Sequence, residues 1–153
     1  MRNSVTVHIK ATPEEIWPLV SDVVTNAKRF AAETFDAEWL DGATGPGVRV
    51  RFRGHVKRND RRWTTYWSLC EIDTCVPNRD FAFSVKAAGR PLNRWRYVLE
   101  PNGDGTDVTE SFELQDLWPL RLYWAVLGRA RGKTNVDNMR TTLQRIKAAV
   151  EAG

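Results

Sequence analysis

A carboxylate spaced among apolar residues is the clearest chemical signal in this chain. Glu110 alternates with Val108, Phe112 and Leu114, so a strand through them turns its side chain toward the interior. Burial raises the pKa of a carboxyl group, which then serves as an acid or as a hydrogen-bond donor to a bound molecule. The plainer alternatives are pairing with an arginine or a hydroxyl, or a position in water at a cavity mouth. No second carboxylate or histidine is spaced to act with it, which weighs against general acid–base work. Asn93 shares the parity of Trp95 and is a second polar candidate, although its position near a strand end favours solvent.

Other chemistries find little support. His8 and His55 fall on the outward parity of separate strands and make a poor metal site. No G-x-S-x-G nucleophile elbow occurs. Residues Gly128 to Thr134 read G-R-A-R-G-K-T, which has one residue too few between the glycines for a phosphate loop and no strand before it. Cys70 and Cys75 are five apart, so on an even strand they face opposite ways and form no local disulfide. Neither a metal nor a cofactor is implied.

The remaining candidates are aromatic. Trp39, Phe52, Trp67, Phe83, Trp95, Tyr97 and Phe112 fall at inward positions of their strands. Rings at sheet spacing are more often core than binding wall. The last helix supplies a reason to consider a wall. From Trp118 through Leu122, Ala125, Gly128, Gly132, Val136, Met139, Leu143 and Ile146 to Val150, residues recur at steps of three and four, with Asp116 placed to cap and Pro119 in the first turn. Arg129, Arg131, Lys133, Asp137, Arg140, Arg145, Lys147 and Glu151 read as the solvated side. Glycine costs about 1 kcal/mol against alanine inside a helix. Gly128 and Gly132 therefore mark either a kink between two helices or a hole over the sheet, with Met139 as an adaptable floor.

The elements that position these residues can be read in order. Ser4 to Ala11 alternates as a strand, and Thr12-Pro13-Glu14-Glu15 is a capping box. Pro18 should bend or stop the helix that follows near Ser21-Asp22, and Asp22 can cap a second short helix to Phe30. Strand patterns return with Phe35, Ala37 and Trp39 on one face, then Val48 to Lys57 with arginines opposite. Trp63 to Ile72 follows, with wavering parity that suggests a bulge. Phe81 to Ala87, Trp95 to Leu99 and Thr106 to Leu114 complete the set, the last two joined by a tight hairpin at Asn102 to Gly105. Short loops between strands imply an antiparallel sheet.

Four segments carry a family resemblance: Ile9-Lys10-Ala11-Thr12-Pro13-Glu14-Glu15-Ile16-Trp17, Trp95-Arg96-Tyr97-Val98-Leu99-Glu100-Pro101, Gly105 to Glu113, and Asn138 to Lys147. With the order of elements, they make the chain resemble the START-related helix-grip (SRPBCC) family of polyketide cyclase/dehydrase and lipid-transport relatives. The resemblance implies an α+β helix-grip fold. In it, a curved antiparallel sheet of about six or seven strands wraps a long C-terminal helix, with two short helices after the first strand. It implies a hydrophobic ligand, such as a lipid or polyketide, while leaving function open, since one fold hosts many activities.

Composition sets the outer bounds. The 153 residues, 42% hydrophobic and 27% charged, suit one domain spanning 1–153. Seven tryptophans signal a heavy core or a cavity for a flat ligand. A net charge of +4 and a pI of about 9.3 permit an anionic partner without demanding one. Arg49, Arg51, Arg53, Lys57, Arg58, Arg61 and Arg62 form a basic outer patch, better explained as protection against edge aggregation than as a nucleic-acid site. Leu117 to Leu127 is apolar nearly all round and reads as a lid or a protein contact, with membrane contact the alternative. No signal segment or membrane span is visible, so the expected setting is cytoplasmic, as monomer or homodimer.

Three functions follow in rank. The first is binding of a hydrophobic small molecule by Trp39, Phe52, Trp67, Phe83, Trp95, Tyr97, Glu110, Phe112, Gly128, Gly132 and Met139. The second is a cyclase or dehydrase using Glu110 for proton transfer. The third is a non-enzymatic interaction protein using the basic strand and the apolar helix start.

Overall fold

In the computed structural model, which describes residues 2–57, 65–115 and 118–153 apart from the side chains of 118–120, 123 and 124, the alternating runs pair into one sheet. The elements are β1 (Arg2–Ile9), α1 (Pro13–Ser21), α2 (Val23–Arg29), β2 (Thr34–Trp39), β3 (Arg51–Lys57), β4 (Thr65–Val76), β5 (Asp80–Ala87), β6 (Arg90–Asn102), β7 (Gly105–Leu114) and α3 (Trp118–Glu151). All pairings are antiparallel in the order β1-β7-β6-β5-β4-β3-β2, so the first strand closes against the last. This is the helix-grip arrangement. No described helix is long and apolar enough to cross a membrane.

Local chemistry sets the short helices. The Thr12 hydroxyl accepts from the Glu15 backbone while the Glu15 carboxylate accepts from the Thr12 backbone, a complete capping box ahead of Pro13. Helix α1 stops at Ser21, as expected from Pro18, and Asp22 then caps α2 by accepting from the Val24 and Thr25 backbones. Ala88 and Gly89, at φ 50° and 74°, make the turn between β5 and β6, whose hand matches the twist of the strands it joins.

Where the alternation of the sequence misleads, a bulge is responsible. A register shift between Thr34 and Asp36 turns Phe35 away from Ala37 and Trp39, and its ring lies 4.3 Å from His55 on the outer face. In β4 the shift falls between Ile72 and Thr74, beyond the wavering stretch. It brings Cys70 and Cys75 to the same inward face, opposite Val85 and Phe81. Both thiols are free, because five residues of strand, about 16 Å, separate them too far to bond. Strand β3 begins at Arg51 rather than Val48, because Arg49 adopts φ 68° and Val48 is exposed. Strand β6 extends back to Arg90 through Pro91, which sits at the shift between β5 and β6 where a missing N–H is tolerated.

Helix α3 is continuous over 34 residues, so the glycines do not divide it. Asn135, Met139, Thr142, Leu143 and Ile146 are buried, but Leu122, Val126 and Leu127 in its first half are exposed. Among the described side chains, the stripe therefore meets the core from Val136 onward. The proposed cap Asp116 lies outside the described residues, as do Arg58, Arg61, Arg62 and Trp63. Lys147 Nζ donates to the His8 carbonyl at 3.1 Å and Glu151 accepts from the Lys10 backbone at 2.9 Å, tying the helix end to β1. The helix packs along β1 and β7, while α2 packs on β2 at the opposite edge.

The β6–β7 hairpin passes close under the end of β1. A Cβ on Gly105 would collide with the Ile9 carbonyl, and backbone there cannot step aside. Gly105→Ala should cost about 1–3 kcal/mol or more, as overpacking does. Gly45→Ala, with nothing within 4 Å, should be nearly neutral. Thermal unfolding of the pair checks the contrast.

Candidate functional site

Helix α3 packs on β1 and β7, α2 on β2 and α1 on β6, and part of the inner face between them stays uncovered. A cavity of about 600 Å³ opens there, bounded by the inner face of β3–β7, by α2 and residues 31–34, and by one side of α3. Of the residues expected to line it, Phe52, Phe83, Trp95, Tyr97, Glu110, Phe112 and Met139 do so. Successive rings pack edge to face or tilted: Phe52 on Phe83 at 5.1 Å, and Trp95 on Phe112 at 4.8 Å.

Glu110 is buried in this wall, directly across from Val5 on one side and Tyr97 on the other. The Tyr97 hydroxyl donates to its Oε1 at 2.9 Å. Its Oε2 is shut off from water and has no hydrogen-bond partner among the described residues. Burial pushes the carboxyl pKa up to about 8, and the Tyr97 hydrogen bond only partly opposes this. At neutral pH the group is thus mostly an uncharged acid, with one buried oxygen unmatched among the described residues. The Tyr97 hydroxyl is held well above its ordinary range, first by burial and then by the Glu110 charge.

The helix side holds a feature hidden in the sequence. Arg131, which falls on the solvated side of the pattern, is half-buried and lines the cavity. Its guanidinium grips Glu33 with two hydrogen bonds of 3.0 and 2.7 Å, linking α3 to the segment before β2. Only tertiary packing brings these two residues together, 98 positions apart. Asn93 is also at the cavity rather than in solvent, and its Oδ1 is buried without a partner among the described residues. Its strand parity with Trp95 was the available signal.

Four expected lining residues are placed differently. Trp67 borders the cavity, but its ring belongs to the outer face, stacked on His55 at 4.3 Å beneath the Arg53 guanidinium. The inward parity of β4 belongs instead to Tyr66, Ser68 and Cys70, since Cys70 pairs with Phe52. Trp39 stands behind the wall, edge-on to Phe52 at 6.0 Å. Gly128 and Gly132 are half-buried on α3 and do not line the cavity. On α3 the cavity is bordered by Arg131, Asn138, Met139 and Thr142.

The outer-face charges are largely spent on neighbours. Arg51 pairs with Asp41 at 2.8 Å and Arg53 with Glu38 at 2.6 Å. His8 sits between Asp107 at 2.7 Å and Asp104 at 2.8 Å, and these hydrogen bonds, Asp107's foremost, raise its pKa.

Comparison with known proteins agrees with this architecture. Residues 2–151 match the family described as polyketide cyclase / dehydrase and lipid transport. A crystal structure of the Thermus thermophilus protein TTHA0849 is 20% identical, covers 99% of this chain and 98% of its own, and superposes with a TM-score of 0.74. The polyketide-cyclase-like protein Cgl2372 of Corynebacterium glutamicum is 25% identical, covering 99% and 91%, with a TM-score of 0.66. DynU16, from the dynemicin biosynthetic locus, is 14% identical over 99% of this chain and 48% of its own, with a TM-score of 0.68. No curated protein sequence matches the chain.

The raised pKa of Glu110 has a measurable consequence for stability. An acid that holds its proton more tightly when folded contributes its full stabilisation below its ordinary value of 4.5, and that contribution falls as pH climbs to about 8. Wild-type stability should therefore decline between about pH 5 and 8 more steeply than that of Glu110→Gln, which has no proton to lose. Chemical denaturation across that pH range reads the difference.

Proposed function

The chain belongs to the polyketide cyclase / dehydrase and lipid transport family, and we propose that it binds an apolar small molecule between the sheet and α3, with Glu110 orienting it. The observation that carries this reading is the 600 Å³ cavity, walled by rings and holding one unmatched buried carboxyl oxygen. A protein interior is normally packed to crystal density, and a buried polar atom without a partner costs about 1–3 kcal/mol. A ligand relieves both. One that buries about 200 Å² of apolar surface gains on the order of 5 kcal/mol before ordering costs.

Filling the space tests the reading. Val85 borders the cavity and is partly buried against the core. Nile red, a neutral apolar fluorophore, should bind the wild type, and Val85→Trp should weaken that binding about ten-fold or more with the melting point little changed. Native mass spectrometry of freshly purified protein should show a co-purifying small molecule. Equal Nile red affinity in both proteins, with no co-purified mass, counts against a ligand cavity.

A second reading, proton transfer to a bound substrate, draws on the same Oε2 and on a carboxyl pKa of about 8, close to working pH. It expects Glu110→Gln to abolish turnover while Nile red affinity stays within about two-fold of wild type.

A further inference from the structure

Helix α3 begins well before it reaches the core, and its first turns hold apolar side chains outside it. Every described residue from 121 to 130 is exposed apart from the half-buried Gly128, with Leu122 at 64% and Val126 at 76%. This segment is not a lid, since the described residues of α3 border the cavity only from Arg131 onward. Leu122 and Val126 stand one turn apart, and Leu127 points about 140° away from Leu122. Apolar groups are therefore presented on more than one side of the helix.

The charge of the segment has one sign. Residues 117–136 hold Arg121, Arg129, Arg131 and Lys133 and no aspartate or glutamate. Arg131 is held by Glu33, but Arg129 and Lys133 are exposed and form no ion pair among the described residues. Asp137, the next acid along, faces Arg140 at 3.8 Å. On the outer face of the sheet, by contrast, Arg51 and Arg53 are each matched by a carboxylate. Seven residues, about 10 Å of helix, separate Leu122 from Arg129 and Val126 from Lys133. The headgroup layer on each side of a bilayer is thinner, roughly 6 Å.

Three kinds of occupant fit a projecting apolar segment. A second copy of it sets like charges together with no acid to offset them, which is costly. A groove on an acidic protein takes one stripe of a helix, whereas here the apolar groups stand on more than one side. A lipid surface needs no matching groove, and it accepts apolar groups below its phosphates and cations beside them. We infer that the start of α3 is a docking element for an anionic lipid surface. Leu122, Val126 and Leu127 enter the acyl boundary, and Arg129 and Lys133 pair with lipid phosphates. The helix does not span the bilayer, being neither long nor apolar enough over its described residues. Leu127 lies one turn, about 6 Å, from Arg131 on the cavity border, so docking holds the cavity beside the lipid. It requires nothing of what the cavity contains.

Co-sedimentation of the full chain with vesicles tests the assignment, using phosphatidylcholine alone and phosphatidylcholine with roughly one part in three phosphatidylglycerol. The mixed vesicles should bind about ten-fold or more tighter than phosphatidylcholine, and binding should fall as salt rises. Leu122→Ser with Val126→Ser, at unchanged charge, should weaken binding to mixed vesicles about ten-fold or more. Arg129→Gln with Lys133→Gln should weaken it about ten-fold. All four side chains are exposed, so melting points, and Nile red affinity without vesicles, should stay near wild type. Arg51→Gln with Arg53→Gln removes the same charge from the outer face and should change vesicle binding less than about two-fold. No vesicle binding at low salt overturns the assignment, as does binding that survives the loss of Leu122 and Val126. Salt-sensitive binding to poly-L-glutamate as tight as to mixed vesicles marks an acidic polypeptide as the partner and overturns it too. So does a concentration-dependent dimer in sedimentation equilibrium that Leu122→Ser with Val126→Ser dissolves.

Discussion

Where α3 docks governs everything else in this molecule. A helix about 51 Å long could cover most of a small sheet, yet this one is fastened to its edge. Lys147 and Glu151 bind the backbone at His8 and Lys10, and Met139, Leu143 and Ile146 are buried in one core with Val5, Ile9 and Val108. With α2 holding the opposite edge on β2 and α1 packing on β6, part of the inward rings between them stays open to the cavity. The cavity is therefore a product of placement.

That placement makes the chemistry of Glu110 what it is. On an outward position of β7 a glutamate would titrate as it does in water. Inside, with Val5 and Tyr97 as its cross-strand neighbours, it loses hydration and gains a single hydroxyl donor. The balance favours the protonated form, because one neutral hydrogen bond does not replace the solvation of a charge. The Arg131–Glu33 pair shows the other solution to the same problem. There the two charges neutralise each other through a bidentate contact across the cavity wall. The site thus combines a neutralised pair with a buried acid, and Lys86 also borders it.

Bulges do the work that side-chain pattern alone cannot. One extra residue reverses which face each later side chain meets. It sends Phe35 to the outside and carries Cys75 to the inside. On the outer face, Phe35 and Trp67 flank His55, with Arg53 over the indole. The bulge accounts for Phe35, while Trp67 lies outward through the unbroken β3–β4 register that pairs it with His55.

What the sequence determined by itself was everything local and periodic. The Thr12–Glu15 capping box, the Asp22 cap and the inward direction of Glu110 on β7 all follow from spacing and short-range hydrogen bonding. The element order and four motif stretches sufficed for the fold family. Tertiary structure alone decided which side of α3 meets the cavity, since a 3.6-residue period defines a stripe but not its partner. It also decided that Arg131 turns inward to Glu33, that Trp67 turns outward to His55, and that Gly128 and Gly132 stand aside. Each of these depends on register or docking between segments distant in the chain, and a linear pattern carries no record of the distance between them.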